Sequence, residues 1–276
     1  MTEIGRSTTA HTIHLSATSA VVLDWAGATD VGLRRAHNED SYIARAPLFV
    51  VADGMGGHSA GDVASDAVVR RLDEAAEDEF FDTDALEEAL RLATDDIEIA
   101  AVGTELGVGT TVTGAILTRD GDAPYFTIFN VGDSRVYMLD SGKLSQVTVD
   151  HSVVQEMVQA GMLHPDDAEN HPDSNVITKA IGFGAEPSPD YWRVPARAGL
   201  RLLVCSDGLT KELHATAIAA VLVSNPEAQA AATALVTAAV SAGGRDNVTA
   251  VVVDVRESSD RDDIEATLPT DQLPRR

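Results

Sequence analysis

Three aspartates in this sequence stand at the ends of segments that are typical of buried β-strands. Asp53 and Asp207 each follow an apolar run and precede a glycine, in VVADG and LVCSDG, and Asp246 lies just before the Val-rich stretch NVTAVVV. If these strands are neighbours, the three carboxylates meet, and they then repel one another and lose hydration unless a cation neutralises them. Because oxygen ligands favour hard divalent metals, the pattern indicates an Mg²⁺ or Mn²⁺ site.

A simpler interpretation of these aspartates stays open on spacing alone. Asp-Gly is a common turn dipeptide, and three strand-end carboxylates can coincide in an acidic chain. Other chemistry finds less support, because the sequence has no HExxH zinc motif, no GxxxxGK[ST] loop, no GxSxG turn and no EF-hand calcium loop. A metal site and a set of ordinary turns therefore remain the two alternatives.

The elements that must position the aspartates alternate between strand and helix patterns. Strands are predicted from Val21 onward and at 48–53, 110–118, 125–132, 135–139, 143–148, 201–208 and 247–255. Helices are predicted at 64–75, 86–100, 152–159 and 216–242, the last broken near Asn225-Pro226. The pattern indicates mixed helix and strand content and does not distinguish antiparallel from parallel sheets.

The 276 residues are enough for one large domain with two polar ends. Residues 1–20 are rich in Ser, Thr and His and are predicted to be a flexible N-terminal segment. Residues 21–256 form the predicted folded domain, in which a flap covers about 149–190, a stretch rich in Pro and Gly. Residues 257–276 are polar and contain Pro, so we expect a disordered acidic tail.

Composition excludes several classes of function. There are 20 Lys and Arg against 44 Asp and Glu, a net charge of −24, which argues against binding to nucleic acid or to anionic lipid. No apolar run is long enough for a membrane span, and the N-terminus lacks a secretory leader. The single cysteine, Cys205, lies in an apolar strand pattern, so we expect it to be buried and inert. These features predict a cytoplasmic protein.

Seven motifs in a fixed order carry a family resemblance. They are TDVGLRRAHNED (29–40), VVADGMGGHSAG (50–61), GTTVTGAIL (109–117), VGDSR (131–135), HPDSNVITKAIG (171–182), LLVCSDGLT (202–210) and GGRDNVTAVVV (243–253). Together they resemble the bacterial branch of the type 2C metal-dependent serine/threonine protein phosphatases, over about residues 21–255. The resemblance implies an α+β fold, a four-layer sandwich of two central antiparallel β-sheets flanked by helices, with a flap insertion.

The resemblance also implies the metal ligands. Asp53 would bridge two Mn²⁺ or Mg²⁺ ions, the Gly54 carbonyl would bind one of them, and Asp207 and Asp246 would complete the other. By the same resemblance, Asp133 together with Asp207 can hold a third ion. A hydroxide bridging the two ions would attack phosphorus, so that no covalent phosphoenzyme forms and Cys205 is not a nucleophile.

Three further residues receive roles from the resemblance. Arg35 would bind the phosphate and is, with Asp53, the predicted catalytic residue, since its planar guanidinium can pair with two phosphate oxygens. Glu39 and Asp40 would lie beside the metals and act through bound water. Met55 departs from eukaryotic members, which have His there, so the general acid is unassigned, and His58 is one candidate.

These assignments predict a phosphatase of phosphoserine and phosphothreonine in proteins, acting on substrates of a serine/threonine kinase. Two alternatives stay open: a phosphatase dedicated to one sigma-factor regulator, and a non-catalytic metal- or phosphoprotein-binding regulator on the same fold. The retained ligands Asp53, Asp207 and Asp246 weigh against the non-catalytic alternative. We expect a monomer that neither binds nucleic acid nor inserts into membranes.

Overall fold

The computed structural model describes residues 1–17, 19–56, 60–102, 107–184 and 186–258. The strands in chain order are β1 (Glu3–Gly5), β2 (Thr8–His14), β3 (Ala20–Asp30), β4 (Asp40–Arg45), β5 (Leu48–Gly56), β6 (Val108–Thr110), β7 (Val112–Asp120), β8 (Ala123–Val131), β9 (Arg135–Asp140), β10 (Lys143–Gln146), β11 (Ile181–Gly182), β12 (Asp190–Pro195), β13 (Arg201–Cys205) and β14 (Val248–Ser258). The helices are α1 (Gly61–Ala75), α2 (Thr83–Ala100), α3 (Val153–Gln159), α4 (Asp207–Thr210), α5 (Ala215–Ser224) and α6 (Ala228–Ala242), with a 3₁₀ helix at Pro165–Asn170.

The strands form two sheets. The first has the order β1-β4-β5-β7-β8-β12, with β6 beside the end of β5 and β11 paired to β6. The second has the order β10-β9-β13-β14-β3-β2. Among the described strands every pairing is antiparallel except that of β1 with β4, which is parallel. The predicted pair of antiparallel sheets is confirmed, apart from this edge strand.

The two sheets pack face to face on an apolar core. The aromatic side chains of Trp25 on β3, Phe49 on β5 and Phe126 on β8 follow one another across the interface, with ring centroids 5.6 Å and 6.3 Å apart. Each of these residues belongs to the same buried cluster as Val251 and Val253 of β14. Burial of such side chains supplies about 1.5–3 kcal/mol each, so this layer is a main source of stability.

Helices cover the outer faces of both sheets, which completes the predicted four layers. Leu72 of α1 and Leu90 of α2 are fully buried against the first sheet, and Leu222 of α5 and Leu235 of α6 are buried against the second. The break between α5 and α6 falls at residues 225–227, as predicted from the proline there. Each helix therefore buries one apolar face against a sheet.

The N-terminal segment differs from the prediction. Residues 1–20 were expected to be flexible, but β1 pairs with β4 and β2 pairs antiparallel with β3. Ile13 of β2 lies opposite Val21 and is fully buried, whereas most other residues of β2 are exposed. An edge strand needs few apolar residues, and a single buried isoleucine among Thr and His gives too weak an alternation for sequence reasoning to detect.

The segment between β10 and β12 has the mixed character expected of the predicted flap. It contains α3, the 3₁₀ helix and the two-residue β11, and the Ser152 hydroxyl accepts a hydrogen bond from the Gln155 amide at the start of α3 (3.3 Å). The proposed tail falls mostly outside the described residues, since β14 continues to Ser258 and 259–276 are not described. Within the described part of the chain, none of the helices has the length and apolarity needed to cross a membrane.

Two glycines bring backbone segments into direct contact near the strand-end aspartates. A Cβ atom on Gly208 would lie 1.9 Å from the Asn247 carbonyl oxygen, so α4 packs against the start of β14 without room for a side chain. A Cβ on Gly54 would lie 2.0 Å from the Gly61 carbonyl oxygen, which fixes the start of α1 against β5.

The Gly208→Ala substitution is expected to lower the free energy of unfolding by about 1–3 kcal/mol, because the overpacked methyl group must push α4 away from β14. Helix propensity alone would have the opposite sign, stabilising alanine by about 0.5–1 kcal/mol. Urea denaturation measures the difference. Gly56→Ala is the control, because its Cβ would meet nothing closer than 3.5 Å, and equal stability of the two variants would contradict the packing described here.

Candidate metal centre

Asp53 and Gly54 lie within β5, which continues through both residues to Gly56 instead of turning after the aspartate. Asp53 is paired with Asp40 of β4, and the residues that follow it pair with β6. The Asp53 carbonyl accepts hydrogen bonds from the Thr111 amide and the Thr110 hydroxyl, both at 2.9 Å. The Asp-Gly dipeptide here is therefore part of a strand, and the glycine is needed for its contact with α1.

Asp207 and Asp246 reach the same place through the pairing of β13 with β14. Cys205 is opposite Ala250 in that ladder, so the end of β13 and the start of β14 lie side by side. Asp207 is the first residue of α4 and Asp246 comes two residues before β14 begins. The antiparallel register brings together two aspartates that are 39 residues apart in the sequence.

Asp133 comes from the turn between β8 and β9. Gly132, which precedes Asp133, has a φ of +115°, a conformation that favours glycine. The hydroxyl of Ser134, which follows Asp133, lies 2.9 Å from the Thr111 hydroxyl. These contacts fix the turn to the strands that carry Asp53. Asp133 thereby faces the same opening as the other aspartates.

One cavity of about 460 Å³ gathers these groups. The predicted site residues in its wall are Arg35, Glu39, Asp53, Gly54, Asp133, Asp207 and Asp246. All predicted site residues therefore line this cavity except Asp40, which is fully buried and is not part of the lining. This convergence favours a shared site over a set of unrelated turns.

Burial and mutual repulsion dominate the electrostatics of the cavity. Burial, and then the neighbouring carboxylates of Asp40 and Asp207, raise the pKa of Asp53 well above its usual value. Burial raises the pKa of Asp133 to about 7, and Asp207 adds to the rise. These carboxyl groups hold negative charge at a cost, which a cation between them would remove.

Two basic side chains bind the carboxylates. The Arg35 guanidinium donates from Nε to Asp246 Oδ1 (2.8 Å) and from Nη2 to Asp246 Oδ2 (2.9 Å). The Lys211 ammonium contacts an Asp207 oxygen and lies 3.3 Å from Asp246 Oδ2. In the described part of the chain, no three acidic, histidine or cysteine side chains are placed so that together they could hold a metal ion.

The residues nevertheless fit a hard divalent cation. Asp207 Oδ1 is buried and has no hydrogen-bond partner among the described residues. A buried carboxylate oxygen without a partner is unfavourable, and the natural partner in a cluster of like charges is a metal ion. The donors around it are carboxylate and carbonyl oxygens, the set preferred by Mg²⁺ and Mn²⁺.

Glu39 and Asp40 occupy different positions although they are adjacent in sequence. Glu39 lies in the cavity wall, and burial raises the pKa of its carboxyl group. Asp40 is fully buried and accepts hydrogen bonds through Oδ2 from Ser206 (2.9 Å) and Thr249 (2.6 Å). Asp40 thus connects the first sheet to the segment that presents Asp207.

Other predicted features can now be placed. Met55 lies in the cavity wall, and His58 lies outside the described residues. Cys205 is fully buried, and burial raises the pKa of its thiol to about 12, so the prediction of an inert cysteine is confirmed.

Sequence reasoning missed several residues of the cavity. Lys211, Arg245, Asn175 and Ile177 line it but belong to none of the predicted sets. Lys211 follows Asp207 by four residues, the spacing at which side chains meet on a helix, and this signal could have identified it. Asn175 and Ile177 belong to the motif HPDSNVITKAIG, but they lie in the irregular segment between β10 and β12, where spacing does not show which side chains reach the cavity.

Comparisons with known proteins agree with this site. A sequence model described as protein phosphatase 2C matches residues 34–242. The serine/threonine phosphatase stp of Listeria welshimeri serovar 6b is 36% identical over 239 residues, which cover 82% of this chain and 93% of that protein.

Solved structures show the same architecture. The serine/threonine phosphatase PstP/Ppp of Mycobacterium tuberculosis superposes with a TM-score of 0.79 at 38% identity, over 86% of this chain and 100% of that chain. The catalytic domain of PstP in complex with two manganese ions gives a TM-score of 0.77 at 38% identity, with the same coverage of 86% and 100%. With a family match over about three-quarters of its length, the chain belongs to the protein phosphatase 2C family.

Proposed function

We propose that this chain is a metal-dependent phosphatase that hydrolyses phosphoserine and phosphothreonine in proteins. The observation that carries the proposal is the convergence of Asp53, Asp133, Asp207 and Asp246 in one cavity beside Arg35. Carboxylates gathered in a buried place repel one another, and a divalent cation would offset this repulsion beyond what Arg35 and Lys211 supply. The relatives named as serine/threonine phosphatases support the same reaction.

The ligands that would hold two Mn²⁺ or Mg²⁺ ions are Asp53, the Gly54 carbonyl, Asp207 and Asp246. The solved PstP domain with two manganese ions supports this number. When bound, such ions supply an activated water and neutralise negative charge on a phosphate. We assign Asp133, with Asp207, to the place where a third cation could bind.

Arg35 is the residue we propose to bind the phosphate. Its fork now pairs with both oxygens of Asp246, and about half of its side chain is exposed. If Asp246 bound a metal ion instead of Arg35, the same two donors would be available for two phosphate oxygens, which have matching spacing. We further propose that Glu39 acts through water at the cavity wall and that Asp40 positions Asp207 through Ser206.

The substrates, the oligomeric state, the cellular location and the domain bounds are proposals as well. We propose that the substrates are proteins phosphorylated by a serine/threonine kinase and that the chain acts as a monomer in the cytoplasm. Residues 21–256 are proposed as the catalytic domain, with the flap of about 149–190 contributing Asn175 and Ile177 to the cavity.

A phosphothreonine peptide is expected to be hydrolysed in Mn²⁺ and not in EDTA. Asp53→Asn removes one carboxylate charge from the cluster, so its kcat/KM is expected to fall by about 100-fold or more. Release of inorganic phosphate measures both effects. Asp95→Asn is the control, because Asp95 lies on the exposed side of α2 and pairs only with Arg91 among the described residues.

Two results of that assay would change the conclusion in different ways. Turnover by Asp53→Asn equal to that of the original chain would mean that the site is elsewhere. Binding of Mn²⁺ without turnover of any phosphopeptide would favour the non-catalytic regulator on the same fold.

Mn²⁺ is expected to raise the melting temperature, because only the folded chain holds the oxygen ligands together. At about 100 times the dissociation constant, one bound ion adds roughly 2.7 kcal/mol of stability, which corresponds to about 5–10 °C for a domain of this size. Differential scanning calorimetry checks this, with Asp207→Asn expected to lose most of the rise. A melting temperature that stays constant through millimolar Mn²⁺ would count against the metal centre.

Arg35→Lys is expected to raise KM for the phosphopeptide by about 10-fold, because lysine keeps the charge but loses one of two charge-assisted hydrogen bonds. The measurement is a set of steady-state rates across peptide concentration at saturating Mn²⁺. An unchanged KM would remove Arg35 from the phosphate-binding role.

A further inference from the structure

A lysine is built into the carboxylate cluster of this chain. Lys211 follows α4, the helix that Asp207 begins, and its ammonium contacts Asp207 and lies 3.3 Å from Asp246 Oδ2. Its side chain is only 31% exposed, against 14% for Asp207 and 17% for Asp246. The lysine therefore occupies the interior of the cluster and is not a surface charge that reaches over it.

The position of Lys211 is fixed by the backbone as well as by charge. The Lys211 amide donates to the Asp207 carbonyl (2.8 Å), so the lysine stays one helical turn from the aspartate in any state that keeps α4. The ammonium also interacts electrostatically with Asp53, whose charge raises the pKa of Lys211, and with Asp133, whose pKa it lowers. It lies in the wall of the metal cavity and of an adjoining cavity of about 210 Å³ that Asp133 and Asp207 share.

The number of cations in the cluster is limited by their repulsion. Two divalent ions held by Asp53, Gly54, Asp207 and Asp246 would displace the ammonium from Asp246. Asp207 and Asp133, the pair assigned above to a third cation, would stay within its electrostatic reach. An ammonium and a divalent ion cannot share that pair, because two cations a few ångströms apart in a partly buried site repel strongly.

We propose that Lys211 is a resident cation that takes the place of a third metal ion between Asp207 and Asp133, so that the chain binds two divalent ions and excludes another. This inference rests on the proposed metal-dependent function and specifies how its site is loaded. Lys211 affects the reaction by setting how many divalent ions the carboxylate cluster binds and what net charge the cluster carries.

The test is a measurement of Mn²⁺ binding to the full chain by isothermal titration calorimetry, with EDTA-treated protein and Mn²⁺ as the only ligand. The original chain is expected to bind two ions. Lys211→Gln removes the positive charge and keeps a polar side chain of similar length, so a third ion is expected, or the weakest ion should bind at least about 10-fold more tightly.

A matched control is available in Arg245. Arg245 lines both cavities and carries the same charge, but its side chain is 65% exposed, and its guanidinium donates to Glu212 (2.8 Å) and to the Lys211 carbonyl (2.5 Å). Arg245→Gln is expected to leave the number of bound ions and their affinities within about twofold, because exposed charges are screened by solvent. An equal gain in both variants would show a general charge effect and would overturn the assignment of Lys211.

Thermal stability gives a second readout that does not depend on turnover. Without metal, Lys211→Gln leaves the carboxylates less neutralised, so its melting temperature should fall below that of the original chain, and its rise on adding Mn²⁺ should be larger. If Lys211→Gln does not fold without metal, Lys211→Arg retains the charge and must keep two ions, whereas three ions in that variant would contradict the proposal.

The remaining outcomes separate this inference from the proposed function. If the original chain bound three ions, the proposed role of Lys211 would be wrong and the phosphatase assignment would stand. The same holds if Lys211→Gln binds Mn²⁺ as the original chain does and turnover still depends on Mn²⁺. No Mn²⁺ bound by any variant would overturn both.

Discussion

Repulsion among buried carboxylates is the constraint on which this end of the molecule depends. Asp53, Asp133 and Asp207 come from strands and turns of both sheets and face one cavity. Burial and mutual charge raise the pKa of Asp53 well above normal, so the protein alone stabilises the ionised cluster poorly. Arg35 and Lys211 offset part of that charge, and one oxygen of Asp207 has no hydrogen-bond partner in the described part of the chain. Binding of divalent cations would therefore favour the ionised form of this cluster.

The rest of the fold holds this unfavourable arrangement in place. Antiparallel pairing of β13 with β14 sets Asp207 beside Asp246, and the Asp40 carboxylate receives hydrogen bonds from Ser206 and Thr249 across the two sheets. At Gly208 the backbone of α4 packs directly against the Asn247 carbonyl, with no room for a side chain between them. Burial of the apolar core between the sheets offsets the unfavourable free energy of holding the carboxylates together. A rigid sandwich with a charged end is therefore what allows distant aspartates to act as one ligand set.

The strand-end aspartates were the part of the site that sequence could predict. An apolar run followed by an acidic residue and a glycine predicts the end of a buried strand, and this pattern located Asp53 and Asp207. It predicted a turn after Asp53, but β5 continues to Gly56, since packing against α1 overrides the turn preference of Asp-Gly. The motif resemblance supplied Arg35 and Asp133, which spacing alone does not reveal.

Other features depend on contacts that no local pattern carries. The edge strands in residues 1–20 were missed because their stability comes from pairing with β3 and β4 and not from their own composition. Strand direction was also undetermined, since an apolar run reads the same in a parallel and an antiparallel sheet. Lys211 had a helical spacing from Asp207, yet its contact with Asp246 depends on the pairing of β13 with β14.

The most direct test of the metal centre is anomalous X-ray diffraction from crystals of the full chain grown with Mn²⁺. We expect two strong anomalous peaks in the cavity, one between Asp53 and the Gly54 carbonyl and one among Asp53, Asp207 and Asp246. The Arg35 fork should then be free of Asp246. Peaks only at the protein surface, with Arg35 still paired to Asp246, would contradict a metal centre in this cavity.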